Sequence, residues 1–173
     1  MWLNGPFGAG KTSASRELTG LLPRARVFDS EEVGFMLRHV LTEPVVDFQD
    51  WPAWRALVVH TAAEVLSQVG GTLVVPQAVL DRGYAEEIFA GLRGRGIPVV
   101  HVVLHVERGE LVRRITRDAV EVGAVRWRLD HVGPYFEALG WLRGSATVVD
   151  TTVLSPRETA ERVAGVVSAQ DGE

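Results

Sequence analysis

The fold is decided by the stretch Gly5-Pro6-Phe7-Gly8-Ala9-Gly10-Lys11-Thr12. This stretch is a complete G-x-x-x-x-G-K-[ST] pattern, whose glycines let successive backbone N–H groups turn inward around phosphate oxygens. A short apolar segment over residues 1–4 precedes it, and helical spacing of apolar residues predicts a helix over residues 12–22. A strand, a glycine loop and a helix in that order predict a phosphate-binding loop. A glycine turn that merely starts a helix is the alternative.

The parts of this loop predict nucleotide binding. Lys11 is the single lysine among 18 basic residues, and it is expected to place a mobile positive charge between the β- and γ-phosphates, which gives it a catalytic role. The Thr12 hydroxyl is a typical ligand of Mg²⁺. We therefore expect ATP and Mg²⁺ as cofactors. The residues expected to bind ATP are Gly5, Pro6, Phe7, Gly8, Ala9, Gly10, Lys11, Thr12 and Ser13.

Composition limits the class of protein. The chain has 173 residues, 46% of them hydrophobic, which suits one domain over residues 1–173. A net charge of −4 disfavours nucleic acid as a partner, and the absence of cysteine excludes a disulfide scaffold. No apolar run reaches the roughly 18 residues of a transmembrane segment and no signal peptide is apparent, so we expect a cytoplasmic protein.

Apolar runs alternate with helical patterns along the rest of the chain. Strands are predicted over residues 25–28, 72–76, 99–106 and 146–149, and helices over 31–41, 52–69, 84–93, 107–118, 126–142 and 156–169. Asp50 is expected to cap the helix at 52–69, and Ser155 with Glu158 to form a capping box before the helix at 156–169. Gly133-Pro134 is expected to break or kink the helix at 126–142. This alternation predicts an α/β fold, a single three-layer domain with a central five-stranded parallel sheet and helices on both faces. A small helical lid is expected over about residues 107–130.

Two classes of phosphate-loop protein are disfavoured. A GTPase reads guanine with an Asn-Lys-x-Asp element, but Asn4 is the only asparagine and Lys11 the only lysine. Motor and transporter ATPases carry an acidic residue at the end of a strand, whereas Gln77 follows the strand at 72–76. A P-loop kinase-like domain of the small kinase type remains, in which positioning and charge neutralisation do most of the catalysis.

Candidates for catalysis follow two of the strands. Asp29 comes directly after the strand at 25–28, where it can accept the proton of an acceptor hydroxyl or hold Mg²⁺ through water; a helix cap is the alternative. Arg113 and Arg117 share one helix face and are the catalytic candidates of the lid. Interleaved acids, including Glu121, leave a solvated charged helix as the alternative. The other arginines of this segment are Arg108, Arg114, Arg126 and Arg128.

Four segments carry a resemblance to a known family. They are WLNGPFGAGKT at 2–12, VGFMLR at 33–38, DFQDWPAWR at 47–55 and VVPQ at 74–77. The chain resembles the tunicamycin-resistance ATP-binding proteins of the TmrB type, within the nucleoside-monophosphate-kinase-like group. This resemblance implies an ATP-binding protein that acts on a nucleoside-type antibiotic. Residues 148–156 also resemble the last strand and the adenine-side loop of small kinases.

These segments supply the candidates for binding a small-molecule acceptor. Arginines from two helices are expected to point toward the phosphate loop, and aromatic rings, Phe48 among them, to wall an apolar slot for a base or a lipid chain. Trp54 has helical spacing with Val58 and is predicted to lie in the core. The predicted substrate-binding residues are Phe35, Arg38, Trp51, Arg55 and Gln77.

Two functions stay open at this point. One is a kinase that transfers the γ-phosphoryl group of ATP to a nucleoside-type antibiotic, favoured by Asp29 and the lid arginines. The other is a non-catalytic module that uses ATP to close over the antibiotic and sequester it, favoured by the missing acid after the strand at 72–76. Attachment of the last helix to a membrane surface is disfavoured because its basic and acidic residues are balanced.

Overall fold

Strands and helices alternate along the chain, in the order that the apolar pattern predicts. The computed structural model describes residues 1–118 and 122–170, so Glu121 and part of the predicted lid lie outside the described residues. The strands are β1 (Trp2–Asn4), β2 (Ala25–Val27), β3 (Thr72–Val74), β4 (His101–His105) and β5 (Thr147–Asp150). The helices are α1 (Lys11–Leu18), α2 (Glu31–Arg38), α3 (Pro52–Val69), α4 (Arg82–Arg93), α5 (Arg108–Arg117), α6 (Val125–Asp130), α7 (Val132–Ser145) and α8 (Pro156–Gln170), with short 3-10 turns at Phe48–Asp50 and Val122–Ala124.

The strands are parallel but do not form the single five-stranded sheet that the sequence predicts. Within the described residues the main sheet has three strands in the order β1-β4-β5, and β2 and β3 form a separate pair. The two groups meet at one parallel bridge between Trp2 and Val75, where Leu3 N donates to Val75 O at 2.9 Å. Val75, which follows the last residue of β3, also donates its N–H to Met1 O at 3.0 Å, so the two groups of strands are joined beside β1 by the residue after β3.

Helices cover both faces of the strands. Successive residues of a strand point to opposite faces. Leu3 packs in a buried cluster with residues of α1 and α8, whereas Trp2 packs in another with residues of α3 and α4. The central strand β4 is buried along its whole length. Trp54 is fully buried, which confirms its predicted place in the core. None of the described helices has both the length and the apolar character needed to cross a bilayer.

Several helix ends differ from their predicted positions. The helix predicted over 126–142 is divided into α6 and α7, which confirms the break expected near Gly133-Pro134 but places it at His131, because Pro134 occupies the first turn of α7, where proline is tolerated. Asp50 does not cap α3; its carboxylate accepts the N–H of Asp47 at 3.2 Å within the preceding 3-10 turn. The predicted capping box at the start of α8 is confirmed, since Ser155 and Glu158 each accept the other's backbone N–H.

Candidate nucleotide and acceptor site

The side chain of Asn4, the last residue of β1, holds the start of the phosphate loop in place. The buried Asn4 side chain accepts the N–H of Gly5 at 2.8 Å and that of Val79 at 3.0 Å, and donates to Val79 O at 2.9 Å. The sequence analysis did not assign Asn4 to this anchoring role. The signal that could have indicated it is a single asparagine at the end of an apolar strand. The loop also passes so close to β4 that a Cβ on Gly5 would lie 2.5 Å from Leu104 O.

Lys11 folds back on the loop. Its Nζ donates to Gly5 O at 2.8 Å and to Pro6 O at 2.9 Å. Burial lowers the pKa of Lys11 to about 7, an effect that the negative charge of Glu31 opposes and the positive charge of Arg128 reinforces. A phosphate group fits this arrangement, because its oxygens can replace the two carbonyls and restore the favourable environment of a charged ammonium group.

The loop opens on a cleft of about 690 Å³ between α2, α5 and α6. Cavities of this size accommodate small-molecule ligands and cofactors. The residues predicted at the site that line the cleft are Phe7, Gly8, Gly10, Lys11, Thr12, Ser13, Phe35, Arg38, Gln77, Arg113 and Arg117. The cleft therefore brings together side chains of the phosphate loop, of α2 and of α5.

A second hollow of about 630 Å³ lies on the other side of the loop, against residues 152–156. This is the segment that resembles an adenine-side loop. The two hollows share residues of the phosphate loop and of α5, among them Gly8, Gly10 and Arg113. A triphosphate lying on the loop can therefore place its nucleoside in one hollow and its γ-phosphate toward the other.

Asp29 lies apart from the cleft. Its carboxylate is exposed and accepts the backbone N–H of Glu31 at 3.0 Å, so at the start of α2 it does what a capping residue does. Three carboxylates that the sequence analysis did not select line the cleft instead, namely those of Glu31, Asp47 and Asp118. Glu31 is two residues further along the chain, where the first turn of α2 faces the loop. The Thr12 hydroxyl fits Mg²⁺, which would neutralise charge on bound phosphates.

Arg55 and Trp51 are not on the cleft surface. The Arg55 guanidinium donates from Nε to Glu87 at 2.5 Å, donates also to Gln49 O, and lies 4.2 Å from the centre of the Tyr84 ring. Trp51 is buried beside Phe48. The structure therefore corrects their predicted place at the substrate surface, because both side chains are used in packing α3 against its neighbours.

The arginines of α5 have different surroundings. Arg113 pairs with Glu110 at 2.6 Å, and Arg114 binds Glu110 at 2.8 Å and the carbonyls of Thr151 and Thr152. Arg117 is exposed on the cleft and makes no ion pair with any residue that the structure describes. The alternative of a solvated charged helix thus holds for part of this face, while Arg117 is available to an anionic ligand.

Aromatic rings stand on two sides of the cleft. On the loop side the Phe7 ring lies 4.6 Å from that of Trp127 in α6, and Lys11 Nζ lies 5.4 Å from the Phe7 centroid. On the α2 side the Arg38 guanidinium lies 4.4 Å from the centre of the Phe48 ring. Sequence reasoning missed Trp127, because its contact with the loop joins residues that are far apart along the chain.

The match to a protein family covers the phosphate loop and both acceptor-side helices. Residues 1–123 match the AAA domain family. The chain belongs to this family. No curated protein matches the sequence.

Solved structures place this AAA domain among kinase-like folds. It is similar to a tunicamycin resistance protein of Deinococcus radiodurans, with 29% identity over 97% of this chain and 94% of that chain and a TM-score of 0.73. This likeness confirms the resemblance seen in the sequence. A gluconokinase of Sinorhizobium meliloti (18% identity, 98% and 91% coverage, TM-score 0.64) and a shikimate kinase of Acinetobacter baumannii (20% identity, 98% and 92% coverage, TM-score 0.64) share the fold.

Proposed function

We propose that this protein is a small-molecule kinase that transfers the γ-phosphoryl group of ATP to a hydroxyl group of a nucleoside-type antibiotic. The observation that carries the proposal is the pair of hollows on either side of one phosphate loop. A protein that only hydrolyses ATP needs one nucleotide site and a water, whereas transfer to a second molecule needs room for an acceptor in line with the γ-phosphate.

The charged groups around the loop have distinct roles in this transfer. The bond from the γ-phosphorus to the bridging oxygen breaks as the bond to the acceptor oxygen forms, and negative charge spreads over the transferred group. Lys11, Arg113 and Arg117 are the cations that meet this charge. Arg117 is the best placed of the lid arginines because it has no acidic partner among the described residues, so no existing ion pair must break.

The acceptor hydroxyl must lose its proton to a base. Asp29 is the base that the sequence suggests, and Glu31 is the one whose side chain lines the cleft. Glu31 also lies near enough to Lys11 to raise its pKa. We assign proton transfer to Glu31, and we assign to Asp29 the task of holding the first turn of α2 through the Glu31 N–H.

The chemical class of the acceptor is supported by the similar protein of Deinococcus radiodurans, which is a tunicamycin resistance protein. On this chain the acceptor side offers Phe35, Arg38 and Gln77. An aromatic wall with one cation and one amide suits a ligand that combines flat rings with hydrogen-bonding groups.

Sequestration without transfer is the second candidate, and one observation favours it. Gln77 lines the cleft after β3, at the place where ATP-hydrolysing proteins of related design carry an acid, and its Oε1 accepts from Ser30 at 2.9 Å. An amide fixed in this way cannot activate a nucleophile. Such a protein would bind ATP, close over the antibiotic and retain it unchanged.

Mass spectrometry of the antibiotic decides between these functions. Tunicamycin is incubated with Mg²⁺, ATP and either the wild-type protein or Lys11→Ala, and the small molecules are then released and weighed. The kinase proposal expects one added phosphoryl group with the wild type and none with Lys11→Ala. Unmodified tunicamycin that is retained by the protein only when ATP is present supports sequestration. Tunicamycin that is neither modified nor retained contradicts both functions.

A further inference from the structure

Gly34 and Phe48 are packed against each other on the acceptor side of the cleft. Gly34 is buried in the middle of α2, and a Cβ built on it would lie 2.2 Å from Cδ2 and 2.3 Å from Cγ of Phe48. The phenyl ring therefore lies directly on the helix backbone, where only glycine leaves room for it. Other helical glycines of this chain differ from Gly34, since a Cβ on Gly165 in α8 would meet nothing within 4 Å.

The turn that contains Phe48 also fixes the position of its ring. It begins the 3-10 turn Phe48–Asp50, in which Asp47 accepts the N–H of Gln49 at 3.0 Å and Asp50 accepts the N–H of Asp47 at 3.2 Å. The buried Gln49 side chain also donates to Ala78 O at 3.0 Å. Phe48 is thus held between a closed turn and the surface of α2, and its ring cannot turn away without loss of packing.

Two further groups complete a wall around this ring. The Phe35 ring meets it edge to face, with centroids 5.3 Å apart and planes at 82°. The Arg38 guanidinium lies 4.4 Å from the Phe48 centroid and 5.8 Å from that of Phe35, and it makes no ion pair with a described residue. Phe35 is 44% exposed although it is a large apolar side chain. All three side chains line the cleft.

We infer that Gly34 determines acceptor specificity by positioning Phe48, and that the wall of Phe35, Arg38 and Phe48 selects acceptors that carry a flat ring, such as a nucleobase. The inference rests on the proposed function, since it names the chemical class that the acceptor side recognises. Flat rings stack on aromatic faces and on guanidinium planes, and this attraction depends on the ring and not on hydrogen-bond pattern. An aliphatic polyol of similar polarity gains little from such a wall.

Binding titrations with uridine and with sorbitol test this inference without any need for turnover. The variants are Gly34→Ala, Phe48→Leu and the double variant. Gly165→Ala is the matched control, since a Cβ at this exposed position of α8 meets nothing within 4 Å. Gly34→Ala should weaken uridine binding roughly tenfold by displacing the ring. Phe48→Leu should weaken it as much, and the double variant no further, because the displaced group is already absent.

The same titrations contain the results that overturn the inference. Uridine affinities that fall additively in the double variant would show that Gly34 does not act through Phe48. Equal binding of uridine and sorbitol to the wild-type protein would show that the wall does not select flat rings. A melting curve for each variant separates these results from misfolding, and Gly34→Ala should keep a cooperative transition because alanine favours the helix.

These binding titrations and the phosphorylation assay can fail separately. Selective binding of uridine over sorbitol, together with tunicamycin that stays unphosphorylated, would leave this inference standing and refute the kinase proposal. Phosphorylation of uridine and sorbitol with equal efficiency would refute this inference but would still show transfer of the γ-phosphoryl group to a hydroxyl group.

Discussion

Arg113 and Arg114 are neighbours on α5, and the structure predicts that replacement by alanine lowers stability much more at Arg114 than at Arg113. Arg114 Nη2 donates to the carbonyl oxygens of Thr151 at 2.8 Å and Thr152 at 2.9 Å, while its side chain is 24% exposed. Arg113 is 50% exposed and, among the residues that the structure describes, pairs with Glu110 alone. Arg114 therefore ties α5 to the loop beside the second hollow, whereas Arg113 is tied only to its own helix.

The size of the effect follows from these bonds. A hydrogen bond to a charged group is worth about 1.5 to 3 kcal/mol, so the loss of two such bonds in Arg114→Ala should lower the free energy of unfolding by about 3 kcal/mol. The bond to Glu110 adds little, because Arg113 continues to pair with that carboxylate. For a domain of this size the melting temperature should fall by roughly 6 to 12 °C.

Arg113→Ala is the matched control and should move the melting temperature by at most about 2 °C, because exposed ion pairs contribute little to stability. Calorimetry of the two variants measures the difference, and ATP titration adds a functional test. Arg114→Ala should weaken ATP binding by loosening the loop at Thr151 and Thr152. Arg114→Lys should retain part of the affinity for ATP. Equal melting temperatures for the two alanine variants would refute the conclusion that Arg114 connects α5 to the loop at Thr151 and Thr152.

Three other predictions concern the cleft and the core. Glu31→Gln should lower turnover by roughly 10²-fold with ATP affinity retained. Asp29→Asn should change turnover little, because its amide oxygen still accepts the Glu31 N–H. A steady-state assay in which Asp29→Asn loses more turnover than Glu31→Gln would make Asp29 the base. Arg55→Ala should lower the free energy of unfolding by roughly 2 kcal/mol in urea titrations, whereas Arg38→Ala should leave it unchanged and weaken acceptor binding. Burial lowers the pKa of His101 to about 4, below its usual value near 6.5, so its stabilising effect is complete above pH 6.5 and is lost as the pH falls toward 4. Urea titrations should show a loss of about 2 kcal/mol between pH 7 and pH 5 that is absent in His101→Gln.

The parts of the site that the sequence predicts are those encoded locally. The phosphate loop is one such part, since its glycines, Lys11 and Thr12 are adjacent in the chain. Phe35 and Arg38 are another, because their spacing on α2 places them one turn apart. For the same reason the order and type of the main strands and helices agree with the apolar pattern.

Other features depend on contacts between distant residues. Arg38 and Arg55 look equivalent in the sequence, but Arg55 meets Glu87, which lies 32 residues away, and is thereby removed from the cleft. Trp127 reaches the loop only through the packing of α6 against Phe7. Among the described residues, the two groups of strands are joined by the bridge between Trp2 and Val75, and no local sequence pattern predicts where the pairing of two distant strands stops.

The most direct test of the kinase follows the γ-phosphoryl group itself. ATP labelled at the γ-phosphate is mixed with Mg²⁺, tunicamycin and an excess of the protein, and the label is traced over time into the acceptor, into free phosphate or into neither. The two-hollow site predicts that the label moves to tunicamycin faster than to water, and that Lys11→Ala abolishes the transfer. Label that appears only as free phosphate, or that stays in ATP while tunicamycin is bound, would contradict the central claim.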